Sequence, residues 1–233
     1  MHLFYTPDIK GITHVLEEQE SKHAIRVLRL KKGDMVILID GAGGWYEAMI
    51  HDENPKACLL SITSHTKNFQ PLPYQLHIAI SPTRNMDRFE WFLEKATEIG
   101  ISRITPLVCQ RTERKQVKMD RLDRILVSAM KQSMKATKPD LSEPVQMDLF
   151  LKQEQKGALG IAHCYPQDRI SIHDLKPPGS YTILIGPEGD FTEEEVEAAI
   201  RSGFRPIHLG ESRLRTETAG VFICSAIAVI RDI

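Results

Sequence analysis

The chain has 233 residues, 42% of them apolar and 26% charged, with a formal net charge of −1. A core is therefore available to one large domain or to a small one plus a medium one, and a protein that coats nucleic acid indiscriminately is excluded, although a local basic face is not. The four cysteines, Cys58, Cys109, Cys164 and Cys224, show no CxxC spacing, which argues against a zinc site or disulfide frame and predicts buried thiols in a reducing compartment.

The N-terminal stretch lacks a basic region followed by an apolar run, and the longest nearly apolar run, Ala219 to Ile230, is too short to span a bilayer. A cytoplasmic protein is expected. Residues 1–70 read as β-rich, with strands at 34–40, 45–50 and 57–63 and a glycine turn at 41–44, a pattern that fits a small barrel. Ahead of these strands, Ser21 to Leu30 reads as a short helix capped by Ser21, and Gly33 turns the chain into the first strand. Lys22, Arg26, Arg29, Lys31 and Lys32 carry no intervening acid, and three-residue spacing would put Arg26 and Arg29 on one helix face. That face is either solvated or a phosphate-binding surface.

Asn68 to Pro73 reads as a linker. Beyond it come a strand at 75–80, an amphipathic helix at 88–99 ended by Gly100, and a strand at 101–108, the β-α-β rhythm of a parallel sheet. Residues 111–138 are strongly basic, Arg111 and Arg114 at their head, and include a helix predicted from Asp120 to Ala136, which makes nucleic-acid contact credible. A strand at 158–162 leads into His163-Cys164-Tyr165, where no third partner is readable to make a nucleophilic dyad. No Gly-x-Ser-x-Gly, HExxH or Walker lysine occurs.

Residues 182–220 concentrate the chemistry. Two strands, 183–185 and 206–209, each run into a glycine-bearing loop and then a helix, and such loops lie at the carboxyl ends of parallel strands where ligands bind. The first loop, Gly186 to Phe191, is too acidic for a polyphosphate. Thr192-x-x-Glu195 is a capping box that accounts for part of this acidity, which leaves Gly186, Glu188 and Gly189 as candidates for contact with a neutral or cationic ligand. In the second loop Arg215 is suited to a phosphate or a developing anion, and Glu217 to orienting Arg215 or accepting a proton; a surface Arg–Glu pair is the alternative.

IGPEGDFTEEEV at 185–196 and LGESRLRTETA at 209–219 resemble the signature loops of the SPOUT methyltransferases, and more narrowly those of the ribosomal RNA small subunit methyltransferase E family. EKATEIGISRITPL at 94–107 and HAIRVLRLKKGD at 23–34 are similar to stretches of the same family, in the same order. The resemblance implies a PUA-like β-barrel RNA-binding domain at 1–70, then a SPOUT-type α/β knot at 74–233, a trefoil-knotted and mostly parallel sheet. It further implies a homodimer that uses S-adenosyl-L-methionine, without a metal, to methylate uridine N3 in the decoding region of 16S rRNA in the 30S subunit. A related enzyme acting on a ribose 2′-hydroxyl or another base, or a non-catalytic assembly factor on the same fold, are the alternatives.

On this resemblance the donor would lie among Gly160, Ala162, Leu184, Ile185, Gly186, Pro187, Glu188, Gly189, Leu209, Gly210, Ser212, Leu214, Thr218 and Ala219. Arg215 and Glu217 would be catalytic, and Lys22, Arg26, Arg29, Lys31, Arg111 and Arg114 would contact RNA. Two positions depart from the family pattern. Asp190 stands in place of a second glycine, which is tolerable if the position only turns the chain, and Lys131 stands where many relatives have glutamate.

Overall fold

The computed structural model describes residues 2–175 and 179–231. They divide into two compact units: Met1–Pro71 with Met130–Lys138, and Leu72–Ala129 with Pro139–Ile233.

The first unit is a curled five-stranded sheet, a PUA-like half-barrel. Its strands are β1 (Leu3–Tyr5), β2 (Thr13–Val15), β3 (Met35–Ile39), β4 (Trp45–Asp52) and β5 (Leu59–Thr66), in the order β1-β3-β4-β5-β2. The Thr6 hydroxyl lies 2.7 Å from His14 Nε2 and so links the end of β1 to the middle of β2, the two edge strands. β3 is buried on both faces. Val36 and Leu38 pack with Phe4, Ala48 and Leu60, whereas Ile37 and Ile39 pack with Trp45, Met130 and Ala136.

The helix expected from Ser21 takes a different form. Helix α1 (Glu18–Lys22) begins three residues earlier and continues as a π-helical turn, His23–Val27. Ser21 is not its cap. It is buried, donating to Leu16 O at 2.9 Å and accepting from Cys58 N at 3.0 Å, which fastens the helix to the run into β5. Nor do Arg26 and Arg29 share a helix face. The Leu28 N–His23 O bond widens the turn, and Arg29 (φ +56°) lies beyond the helix end in the left-handed region.

In the second unit β6 (Gln75–Ile80) is followed by α2 (Met86–Ile99), β7 (Arg103–Val108), α3 (Met119–Gln132), β8 (Asp140–Leu141), β9 (Val145–Gln146) and α4 (Met147–Leu151). Then come β10 (Ala158–Ala162), β11 (Ile170–Ser171), β12 (Ser180–Ile185), α5 (Glu193–Arg201), β13 (Arg205–His208) and α6 (Thr216–Ile230). All pairings are parallel, in the order β11-β13-β10-β12-β6-β7-β8 with β9 on β7. Asn85 caps α2 by accepting from Asp87 N, and Gly100 (φ +140°) ends it. The helix predicted to reach Ala136 stops at Gln132, because Met134 is left-handed and Thr137 bridges to Gly41 and Ala42.

One sheet face packs on Phe89, Phe92 and Leu93 of α2 and Ile223, Cys224 and Ile227 of α6. The other packs on Met147 and Phe150 of α4 and Val196 and Ala199 of α5. After β13 the chain therefore crosses from the α5 face to the α6 face, and residues 209–215 make that crossing. β12 neighbours β10, and β10 neighbours β13, so the carboxyl ends of these three strands lie side by side. The expectation of four buried thiols fails at Cys164, which is exposed just past the end of β10.

Candidate active site

A cavity of about 600 Å³ opens where the carboxyl ends of β10, β12 and β13 meet. Ala162, Ile185 and Ile207 provide an apolar floor, and the loops after the three strands form the walls. Such a volume suits a ligand of nucleoside size.

The first loop is braced from three sides. Asp190 adopts φ +63°, and its carboxylate accepts from Cys164 N at 2.9 Å and Phe191 N at 2.8 Å. An aspartate in place of glycine thus repays its strained backbone with two bonds. Arg84 N donates to Glu188 Oε1 at 2.9 Å. Arg111 Nη1 donates to Gly189 O at 2.8 Å and Phe191 O at 3.2 Å, and Tyr165 Oη reaches Phe191 O at 2.8 Å. The Thr192–Glu195 capping box is present, and the same Glu195 carboxylate also accepts from Gln110 N at 2.8 Å.

In the second loop Gly210 has φ +107°, and Arg213, Leu214 and Arg215 face the cavity. The Thr216 hydroxyl donates to Gly186 O at 3.0 Å, a buried tie between the two loops. Glu217 neither pairs with Arg215 at the surface nor orients it. Its side chain is 7% exposed, and its Oε1 lies 3.8 Å from Arg88 Nε. Its Oε2 has no hydrogen-bond partner among the described residues. A second depression, lined in part by Arg88, Trp91 and Glu217, adjoins this turn and shares Arg213, Leu214 and Arg215 with the main cavity.

Of the residues expected to hold the donor, the cavity wall includes Ala162, Ile185, Gly186, Pro187, Glu188, Leu209, Gly210, Ser212, Leu214 and Ala219. Four lie elsewhere. Gly160 packs against Ile183 and Ile207 in the sheet, where a Cβ would come within 2.9 Å of Ile183 Cδ1. Leu184 points to the opposite core, Gly189 lies against Arg111, and Thr218 lines the second depression. Sequence reasoning missed His163, Cys164, Arg169, Asp190, His208 and Arg213. His163 and Cys164 form no dyad: the ring nitrogens of His163 lie 3.2 Å from Tyr165 N and 2.7 Å from Gln167 Nε2. Burial lowers the His163 pKa and, with Asp190 nearby, raises that of Cys164, so the thiol stays protonated.

Lys22, Arg26, Arg29 and Lys31 are exposed on the first unit, Lys22 paired with Glu18 at 2.5 Å. Arg114 Nε approaches Arg84 O at 3.4 Å, and Arg111, expected on RNA, donates to the first loop.

A family model for an RNA methyltransferase domain matches residues 70–228, and one for an RNA methyltransferase PUA domain matches residues 16–63. The ribosomal RNA small subunit methyltransferase E of Synechocystis is 32% identical over 83% of this chain, which spans 65% of that relative's length. The chain belongs to the ribosomal RNA small subunit methyltransferase E family. A solved structure of a probable rRNA-methyltransferase from Porphyromonas gingivalis is 39% identical, with a TM-score of 0.93 over 99% of this chain and 98% of that one. The family's enzyme from Neisseria gonorrhoeae, solved bound to S-adenosyl methionine, is 26% identical, with a TM-score of 0.89 over 99% and 98% of the two chains. The fold is thus the SPOUT type that the sequence motifs imply, preceded by a PUA-like unit.

Proposed function

We propose that the chain methylates N3 of a uridine in the decoding region of 16S rRNA, in the 30S subunit, with S-adenosyl-L-methionine as donor. The observation that carries this reading is the cavity at three strand ends, with Arg215 on its wall and the buried carboxylate of Glu217 two residues on. The cavity fits the donor. Glu188, Asp190 and Glu211 make part of its wall acidic, as suits a cation, and strand-end backbone is available to a nucleoside.

When bound, S-adenosyl-L-methionine supplies a methyl group activated by the adjoining sulfonium. Ile185 at the end of β12, Gly186 and Pro187 of the first loop, and Leu209, Gly210 and Leu214 of the second would hold it. Uridine N3 is protonated at neutral pH, so the chain must take up that proton and stabilise the resulting anion. The Glu217 carboxylate accepts the proton, and the Arg215 guanidinium faces the negative charge that spreads onto the base oxygens. Arg26, Arg29, Lys22 and Lys31 on the first unit, with Arg114 on the second, bind phosphates.

We further propose a cytoplasmic homodimer joined through α6. Thr218, Phe222, Ser225 and Val229 share one helix face, on which Phe222 is 41% and Val229 71% exposed. The test is methyl transfer to 30S particles that lack the modification, followed by identification of the nucleoside formed. In single-turnover assays Arg215→Ala cuts transfer while donor binding measured by calorimetry stays near wild type. Equal loss of both refutes its place beside the acceptor, and a methylated ribose or another base refutes the N3 assignment.

A further inference from the structure

We infer that substrate RNA tightens donor binding through Arg84: a backbone phosphate held in a basic hollow fixes the residue whose N–H braces Glu188 in the donor cavity. The inference rests on the methyltransferase reading and brings Arg84 and Lys118 into it. The hollow, about 510 Å³, lies past the carboxyl ends of β6 and β7. β6 neighbours β12, whose loop walls the donor cavity, so the two sites adjoin along one edge of the sheet. Four cations line the hollow, Arg84, Arg114, Lys118 and Arg121, against two carboxylates, Asp87 and Glu90. Glu90 engages Arg121 Nε at 2.6 Å, and Glu113 lies 3.4 Å from Arg84 Nε. Arg114 and Lys118 have no carboxylate at ion-pair distance among the described residues, so the hollow keeps positive charge for an anion.

The two sides of the hollow differ in how firmly they are held. The loop that carries Arg114 is anchored: the buried hydroxyls of Ser81 and Thr112 lie 2.7 Å apart, and Thr112 Oγ1 accepts from Cys109 N at 2.8 Å. The Arg84 side chain is 79% exposed, and so exposed an ion pair contributes little. Its backbone, however, faces both sites. Arg84 N donates to Glu188 Oε1 at 2.9 Å, and Arg84 O lies 3.4 Å from Arg114 Nε. A phosphate between Arg114 and Lys118 draws the Arg84 guanidinium away from Glu113, because a forked guanidinium–phosphate contact outweighs an exposed pair. With that side chain held, the Arg84 N–H keeps Glu188 in place, and the donor meets a loop already ordered. By linkage the donor tightens RNA to the same extent.

The test uses the full chain, a short single-stranded RNA containing uridine, and S-adenosyl-L-homocysteine, which has no methyl group to transfer. Calorimetry should show this probe binding about fivefold or more tighter with saturating RNA than without. Arg84→Ala keeps the N–H to Glu188 and should still bind the probe without RNA, which reports that it folds, yet lose the gain. Inorganic phosphate should give the wild type no gain. In fluorescence anisotropy over a salt series, Lys118→Gln should bind RNA with a slope shallower by about 0.7. Lys152→Gln, beyond the end of α4, should keep the wild-type slope. A gain that survives in Arg84→Ala, or no gain in the wild type, overturns the coupling. An unchanged slope in Lys118→Gln removes RNA from the hollow, and a gain from inorganic phosphate makes it a site for a free anion instead. Wild-type protein that binds neither S-adenosyl-L-homocysteine nor S-adenosyl-L-methionine refutes the methyltransferase reading, and the salt slopes, which need no donor, still decide the hollow.

Discussion

Arg111→Ala separates two roles for one side chain. By sequence Arg111 belongs to a basic stretch facing RNA, whereas in the fold its Nη1 holds Gly189 O at 2.8 Å and Phe191 O at 3.2 Å. Hydrogen bonds from an ionised donor contribute roughly 1.5–3 kcal/mol when buried. This guanidinium is largely exposed, so about 1–2 kcal/mol for both together is reasonable. The Tyr165–Phe191 bond remains in the variant, and the loop loosens without unfolding. If the loop must then be ordered on donor binding, affinity for S-adenosyl-L-methionine falls about 5- to 30-fold, at 1.4 kcal/mol per tenfold. Isothermal titration of wild type, Arg111→Ala and Arg111→Lys measures this, with the lysine variant intermediate because an ammonium cannot form the same fork. Filter binding of RNA over a salt series is the companion assay. Unchanged donor affinity, together with an RNA salt slope shallower by about one, would refute the clamp and restore a phosphate contact.

Gly220→Ala opposes two effects on α6. Helix propensity gains about 1 kcal/mol. The new Cβ, however, meets Phe92 Cε2 at 2.5 Å and Cδ2 at 2.6 Å, and Phe92 is fully buried with nowhere to move. Overpacking of about 1–3 kcal/mol, less that gain, leaves a net loss of up to about 2 kcal/mol and lowers the melting temperature by up to about 8 °C; a rise would show that the α2–α6 contact yields. His77 predicts an acid limb of stability. Burial between Thr105 and Phe150 lowers its pKa to about 4, so between that value and about 6.5 the unfolded chain binds the extra proton. Stability is then flat above about pH 6.5 and falls by about 2 kcal/mol from pH 7 to pH 5. Urea denaturation should show this drop diminished in His77→Gln, with the smaller contributions of His14 and His163 left behind.

What was legible in the sequence was local chemistry. The Thr192–Glu195 box, the turn at Gly33, the end of α2 at Gly100 and the limits of β10 each depend on residues within a few positions of one another. What was not legible depends on distant partners. Ser21 resembles a helix cap in sequence, but its hydroxyl is engaged by Cys58 N, 37 positions away. β1 and β2, of three residues each, are too short to display alternation. The third wall of the cavity, His163 to Arg169, follows from β10 lying between β12 and β13, an order that no spacing reveals. The signal nearest to it was a His-Cys pair at a strand end, legible as a position and misleading as a chemistry.

Helix α3 begins in one compact unit, and its last residues, with the segment to Lys138, belong to the other. A cut at the proline-bearing stretch near residue 70 would therefore part residues 130–138 from the unit to which they belong. A fragment made of residues 1–71 would lack Met130 and Ala136, which complete the packing around Ile37, Ile39 and Trp45. A fragment starting at residue 72 would carry those same apolar side chains into solvent. Exchanging this PUA-like unit for another means grafting residues 130–138 along with the first seventy.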